Sequence, residues 1–267
     1  MSPSPAGKTD RVKVGEIPFA SSTLEEATQE VLGLAKRRQA VSVRLANAYC
    51  VALASKDEAY GRLLNRDGVN YPDGLPVVWC MRGLLGSEQA GRVRGPSLFL
   101  QVLDKGRAQN VRHFFLGSTE STLKLLTANI EERFEGLDIA GSYAPPFGPV
   151  DSEFLADACA RVLLTDADIV WVALGTPKQD FAASALAAAL GRPCVAVGAA
   201  FDFAAGTVNE APKWMRDSGF EWLYRFGSEP SRLWKRYTIG NLSFLAIVGR
   251  QVAIQSLGRV RSIRRRL

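Results

Sequence analysis

Histidine is nearly absent from this 267-residue chain. The only one, His113, lies inside the apolar run Val111–Leu116. A zinc centre built on histidines is thereby excluded, and a Ser-His-Asp triad would have to rest on a residue whose strand setting suggests a structural role. Acid–base chemistry is left to carboxylates, lysine or tyrosine. Cysteine is sparse and unpaired in pattern: Cys50, Cys80, Cys159 and Cys194 show no C-x-x-C spacing and sit among apolar residues. They read as reduced core thiols of a cytoplasmic protein. No signal peptide is evident, because residues 1–10 are polar and rich in Ser, Pro and Lys, as in a frayed terminus. Neither G-x-G-x-x-G nor G-x-x-x-x-G-K-[ST] occurs, which disfavours a classical dinucleotide fold and a P-loop. Residues 231–267 contain no Asp or Glu at all.

That last absence sharpens a net charge of +6. Arg232, Lys235, Arg236, Arg250, Arg259, Arg261, Arg264, Arg265 and Arg266 all fall in the acid-free stretch, and the remainder of the chain is close to neutral. Such asymmetry points to a polyanion, either nucleic acid or an anionic membrane leaflet. The composition, 47% hydrophobic and 22% charged, is that of a soluble globular protein with a sizeable core.

Strand-length apolar runs alternate with helical stretches. Strands are expected at 41–46, 69–71, 111–116, 137–143, 169–174 and 194–197. Helices are expected from Ser22 (a capping-box spacing with Glu25) to about Arg38, through 47–65, and at 74–85, 97–107, 119–134, 151–164 and from Pro177 to Leu190. The alternation implies βαβ units and a parallel sheet, an α/β fold with a Rossmann-like core. After Ala211-Pro212 the expected strands stop. Residues 1–210 therefore form the expected catalytic core and 211–267 a helical, basic C-terminal appendage.

In a parallel sheet the polar residues after each strand share one edge, where ligands bind. Asn47, Tyr71-Pro72-Asp73-Gly74, Gly117-Ser118-Thr119, Gly175-Thr176-Pro177-Lys178-Gln179 and Gly198 through Asp202 occupy those positions. The glycines permit close backbone approach and helix amino ends favour phosphate. Several of these residues also have plainer readings. The Gly175 turn can be an ordinary βα turn with Pro177 in the first helical turn, and Lys178 can meet phosphate or solvent. Asp73 can take a proton from a substrate hydroxyl or simply cap the helix opened by Gly74. Asp166-Ala167-Asp168 has the D-x-D form of a metal site but precedes its strand, on the edge away from the ligands, so no metal is expected.

The chain resembles the WecG/TagA/CpsF glycosyltransferases of bacterial surface-polysaccharide and teichoic-acid assembly. The resemblance rests on Asn47, Pro72-Asp73-Gly74, Arg92-Val93-Arg94-Gly95, Phe115-Leu116-Gly117, Gly175 to Gln179, Gly198, Phe201 to Gly206, Ala211-Pro212-Lys213-Trp214, Glu221 to Arg225 and Glu229 to Leu233, in order over residues 40–237. It implies metal-independent, inverting transfer of a hexose or N-acetylhexosamine from a UDP-sugar to a polyprenyl-diphosphate-linked saccharide, with no cofactor. In that light Asp73 is the catalytic base, Asn47 and Gln179 line the sugar-nucleotide pocket, and Arg225, Arg232 and Arg236 close over the diphosphate. Gly117, Gly175, Lys178 and Asp202 complete the expected binding set. The chain departs from the family's pattern at Leu45 (commonly Thr), Asp180 (commonly Glu) and Glu210 (commonly Arg), which leaves the donor sugar open.

Residues 239–257 are too interrupted for a transmembrane span. Leu242, Leu245, Ala246, Gly249, Val252 and Ala253 instead make an apolar face, followed by the basic tail 259–266. This suits a surface helix on anionic lipid, with the protein held peripherally at the inner face of the cell membrane. The same helix could pack on the core or on another subunit, and a homo-oligomer stays open. A nicotinamide-dependent oxidoreductase would lack its glycine fingerprint, and a nucleic-acid-binding module would leave the strand-end residues without a purpose. No nucleic-acid partner is expected.

Overall fold

The computed structural model describes residues 10–66, 68–219, 221–228 and 240–255. Six strands form one all-parallel sheet in the order β4-β3-β8-β7-β5-β6. They are β3 (Ser42–Ala46), β4 (Val69–Pro72), β5 (Arg112–Gly117), β6 (Asp138–Tyr143), β7 (Ile169–Ala173) and β8 (Cys194–Ala196). The apolar runs are continuous because both faces are covered, as parallel sheets require. Alternate residues divide between the faces. Phe115, Ile169 and Trp171 enter a cluster with Phe99 and Phe201, whereas Phe114, Val170 and Val172 join Leu186 and Cys194.

The first face is covered by α1 (Leu24–Lys36), α5 (Gly95–Arg107), α6 (Glu120–Arg133) and α9 (Ala200–Ala204), and the other by α7 (Ser152–Leu163) and α8 (Lys178–Leu190). A third cluster gathers α2 (Ala48–Ala54), α3 (Glu58–Asn65) and α4 (Leu75–Trp79). Beyond Pro212 the described residues hold only helices: α10 (Lys213–Ser218), α11 (Glu221–Ser228) and α12 (240–255).

Several expectations need correction. An antiparallel hairpin, β1 (Arg11–Val14) with β2 (Ile17–Ala20), precedes the first helix, where no strands were expected. Its turn uses Gly15 at φ +62°, a conformation open to glycine at little cost. The capping box lies one residue later than its expected position: Thr23 caps α1 and Glu26 returns to the Thr23 amide. Ser22 is instead buried and bonds the Thr23 carbonyl. The helix expected at 74–85 is regular only to Trp79, continuing as a π turn through Cys80–Leu84.

His113 is fully buried, and its Nδ1 accepts a hydrogen bond from the Trp171 indole at 3.1 Å. Burial pushes its pKa down to about 3, so it is neutral, and its role is structural. Asp166 and Asp168 pair with Arg112 at the start of β5, on the edge of the sheet opposite the strand ends. All four cysteines are free thiols.

Helix α12 packs on the body through one face and leaves the other open. Phe244 and Val248 are buried in the cluster that holds Val14, Ile17 and Val51, with Ile247 and Val252 packed against it. Gln251 accepts from the Gly15 amide and donates to the Lys13 carbonyl, both at 2.8 Å. Leu242, Leu245, Ala246, Gly249 and Ala253 are exposed, whereas Val252, expected with them, turns inward.

Candidate active site

Chain segments leave β3 toward one edge strand, β4, and leave β5 toward the other, β6, with β8 and β7 between. Diverging connections of this kind open a crevice over the carboxyl ends of the central strands. Asn47 follows β3 and caps α2, its Oδ1 accepting from the amides of Tyr49 (3.0 Å) and Cys50 (3.4 Å). Beside it, a Cβ added at Gly74 would come within 3.3 Å of the Asn47 Cβ. This contact puts Asn47 next to Asp73.

Asp73 does not cap its own helix. The cap position of α4 is Gly74, which makes no side-chain cap bond. The Asp73 carboxylate reaches across to α5, where Oδ1 accepts from the Gly95 amide at 3.3 Å. It is partly buried at the amino end of that helix. Burial pushes its pKa above the ordinary carboxylate value, and Glu221 adds to the rise; Arg92, Arg94 and the Gly95 amide pull the other way without cancelling it. The result is a carboxylate with raised proton affinity beside the crevice, the property expected of a general base.

Gly95 in turn lies against β8: a Cβ there would meet the Val197 carbonyl oxygen at 2.9 Å. Gly198 follows, with the Gln179 amide 3.7 Å from where its Cβ would be. Gln179 is buried and its Oε1 accepts from the Gly175 amide at 3.1 Å, pinning the turn after β7. Asn47, Asp73, Gly175, Gln179 and Gly198 thus form one contiguous arc.

Gly117 and Asp202 lie farther along the same edge. Gly117 adopts φ +123°, and a Cβ would sit 2.4 Å from the Ala173 carbonyl oxygen, so only glycine fits there. Ser118 bonds that carbonyl through its amide, and its Oγ lies 3.4 Å from Asp202 Oδ1. Lys178 turns toward the loop after β6, with its ammonium 5.7 Å from the ring centres of both Phe147 and Phe154. Arg225 does approach the edge: its guanidinium lies 5.6 Å over the Phe203 ring, which Arg94 also contacts at 5.4 Å. Arg232, Arg236 and the tail 259–266 lie outside the described residues.

The profile of the Glycosyl transferase WecG/TagA/CpsF family matches residues 12–257. The chain belongs to that family. It is a glycosyltransferase of the cell-envelope polysaccharide type. It is also similar to the N-acetylglucosaminyldiphosphoundecaprenol N-acetyl-beta-D-mannosaminyltransferase of Bacillus spizizenii, 30% identical over 184 residues that span 68% of this chain and 69% of that one.

The three positions expected to depart from the family pattern have distinct settings in this transferase. Leu45 is buried in the core cluster. Asp180 accepts from the Tyr60 hydroxyl at 2.7 Å, tying α8 to α3. Glu210 pairs with Arg94 at 3.0 Å and with Arg216. Sequence reasoning gave no role to Arg92, Arg94 or Glu221, yet they bridge the sheet edge and α11. Arg94 donates to Glu221 from Nε and Nη2, at 2.8 to 3.2 Å, and Arg92 Nη2 reaches it at 2.5 Å. The available signal was R-x-R-G directly before a helix start, facing one glutamate about 130 residues away.

Proposed function

We propose that this transferase moves a hexose or N-acetylhexosamine from a UDP-sugar to a polyprenyl-diphosphate-linked saccharide, inverting the anomeric centre without a metal. The observation that carries the reading is the arc of Asn47, Asp73, Gly175 and Gln179 at the carboxyl edge, with Asp73 raised in proton affinity. The acceptor class is supported by the name of the Bacillus relative, which describes transfer to N-acetylglucosaminyldiphosphoundecaprenol.

In the proposed reaction Asp73 takes the proton of an acceptor sugar hydroxyl, whose oxygen forms the new bond to the anomeric carbon. The bond from that carbon to the β-phosphate oxygen breaks, and its electron pair leaves with UDP. Asn47 and Gln179 orient the donor. The Gly117–Ser118 turn at the amino end of α6 offers backbone amides to phosphate. Arg225, Arg232 and Arg236 neutralise the charge developing on the diphosphate, the part a metal plays elsewhere. A glutamate at position 210 makes the pocket rim less cationic than in the common family pattern, consistent with a donor other than N-acetylmannosamine.

No described helix is long and apolar enough to cross a membrane. A peripheral attachment at the inner membrane face is supported by the exposed side of α12 and the basic residues that follow it. A thermal-shift panel of UDP, NAD and an oligonucleotide tests the ligand class. Stabilisation by UDP alone is expected, and stabilisation by NAD or the oligonucleotide without UDP would sink the reading. A panel of UDP-sugars with an extracted lipid-linked acceptor then identifies the donor.

A further inference from the structure

The carboxyl edge holds more cationic charge than the proposed chemistry assigns. Arg92 and Arg94 both flank Asp73, and guanidinium forks fit carboxylates well. Left to themselves, two such groups would clamp Asp73, occupy its oxygens and weaken it as a base. They do not, because both are engaged elsewhere. Arg92 gives Nε to the Asp73 backbone carbonyl (2.7 Å), Nη1 to the Arg216 carbonyl (2.8 Å) and Nη2 to Glu221. Arg94 gives Nε and Nη2 to Glu221 and Nη1 to Glu210. The Asp73 carboxylate keeps one hydrogen bond, from the Gly95 amide. Among the described residues no other donor reaches it.

Glu221 sits at the start of α11, and its side chain is only 12% exposed. Arg225 is four residues on, one helical turn along the same face, and contacts Phe203. One ion-pair cluster therefore anchors α11, brings Arg225 to the edge and occupies both arginines.

We propose that Glu221 is a positioning residue for the transfer reaction: by holding the Arg92 and Arg94 guanidiniums, it keeps the Asp73 carboxylate open as a proton acceptor when α11 is docked. Docking of the C-terminal segment and readiness of the base are then one event. The inference rests on Asp73 being the base. The charged groups facing Asp73 are Arg92 and Arg94 from the segment before α5 and Glu221 from α11, with Glu210 and Arg216 one contact farther out. Glu221 raises the pKa of Asp73 and the two arginines lower it, which supports the assignment.

The test uses the full chain and reads Asp73 directly, by carboxyl carbon-13 NMR titration, with its resonance identified by its loss in Asp73→Asn. In Glu221→Gln the freed arginines should move the Asp73 titration to lower pH by about one unit or more. The acid limb of the kcat–pH profile should move with it, and plateau turnover should fall by about tenfold or more. Glu221→Asp should return both toward the wild-type position. Because release of α11 would also expose Asp73 and lower its titration, amide hydrogen exchange of α11 is read in the same variant. A titration that moves only with α11 released would reduce Glu221 to a docking role and overturn the proposal, as would an unmoved Asp73 titration in Glu221→Gln. Should that variant fail to fold, Arg94→Gln serves instead: the titration should move to higher pH, and no movement is equally fatal. Full turnover in Asp73→Asn would remove the base assignment, whereas an unmoved titration with inactive Asp73→Asn removes only the role of Glu221.

Discussion

Asp73 and Glu221 show how differently one environment can treat two carboxylates. Burial pushes both up, but hydrogen bonds and charge from Arg94 and Arg92 outweigh it at Glu221 and hold that group below the ordinary glutamate value. Its contribution to stability is therefore present above the unfolded-state value of about 4.3 and is lost as pH falls through the lowered folded value. His113 acts in a higher window. Its folded value of about 3 lies below the unfolded value of about 6.5, so only the unfolded chain binds a proton between them. Stability is then fully retained above pH 6.5 and declines as pH falls toward 3. Between pH 7 and pH 5 this single group should cost about 2 kcal/mol. Urea unfolding at the two pH values checks it: His113→Gln, which keeps an acceptor for the Trp171 indole, should lose less stability over that interval than wild type. Identical losses would contradict the assignment. At this scale the placement of Asn47, Asp73 and Gln179 at the strand ends was legible, because a polar residue just past an apolar run has few packing reasons to be there. The roles of Arg92, Arg94 and Glu221 were not legible, because a pairing across about 130 residues is made by the fold and leaves no local periodicity.

Elements with a strong local signal were readable nearly to the residue. Strands β5 and β7 have apolar runs followed by a glycine turn, and helices α6 and α7 carry Thr119 and Asp151 as caps. The β1–β2 hairpin was missed for a physical reason. Its strands are four residues each and one contains Pro18, so they hold together through pairing with each other and packing on α3 and β4 rather than by propensity. Helix α12 bears out one of its two expected readings, packing on the body through Phe244 and Val248, and its opposite face leaves Leu242, Leu245 and Ile254 exposed. Phe244→Ala should cost about 3 kcal/mol or more, in the range for buried phenylalanine. Leu245→Asp, at a position 65% exposed, should change stability by about 0.5 kcal/mol or less. Chemical denaturation of the two variants compares them directly, and equal losses would mean that α12 packs otherwise.

At the scale of the whole molecule the charge is segregated, with nine basic residues and no acid in 231–267. The exposed Leu242, Leu245 and Ile254 share a helix with Arg250 and lead into the basic tail, which suits an anionic lipid surface. Truncation before residue 240 is a poor probe of that idea, because it would uncover Val14 and Val51 as well. The double variant Leu242→Asp/Leu245→Asp leaves the packed face intact and should reduce sedimentation with anionic vesicles at least several-fold; unchanged sedimentation would remove α12 from the membrane contact. The account as a whole depends on chemistry at the carboxyl edge of the sheet, and Asp73→Asn tests it most directly. Turnover of a UDP-sugar with a lipid-linked acceptor should fall by about 100-fold or more, in keeping with loss of a general base, while UDP binds with unchanged affinity. Wild-type turnover in that variant would contradict the account.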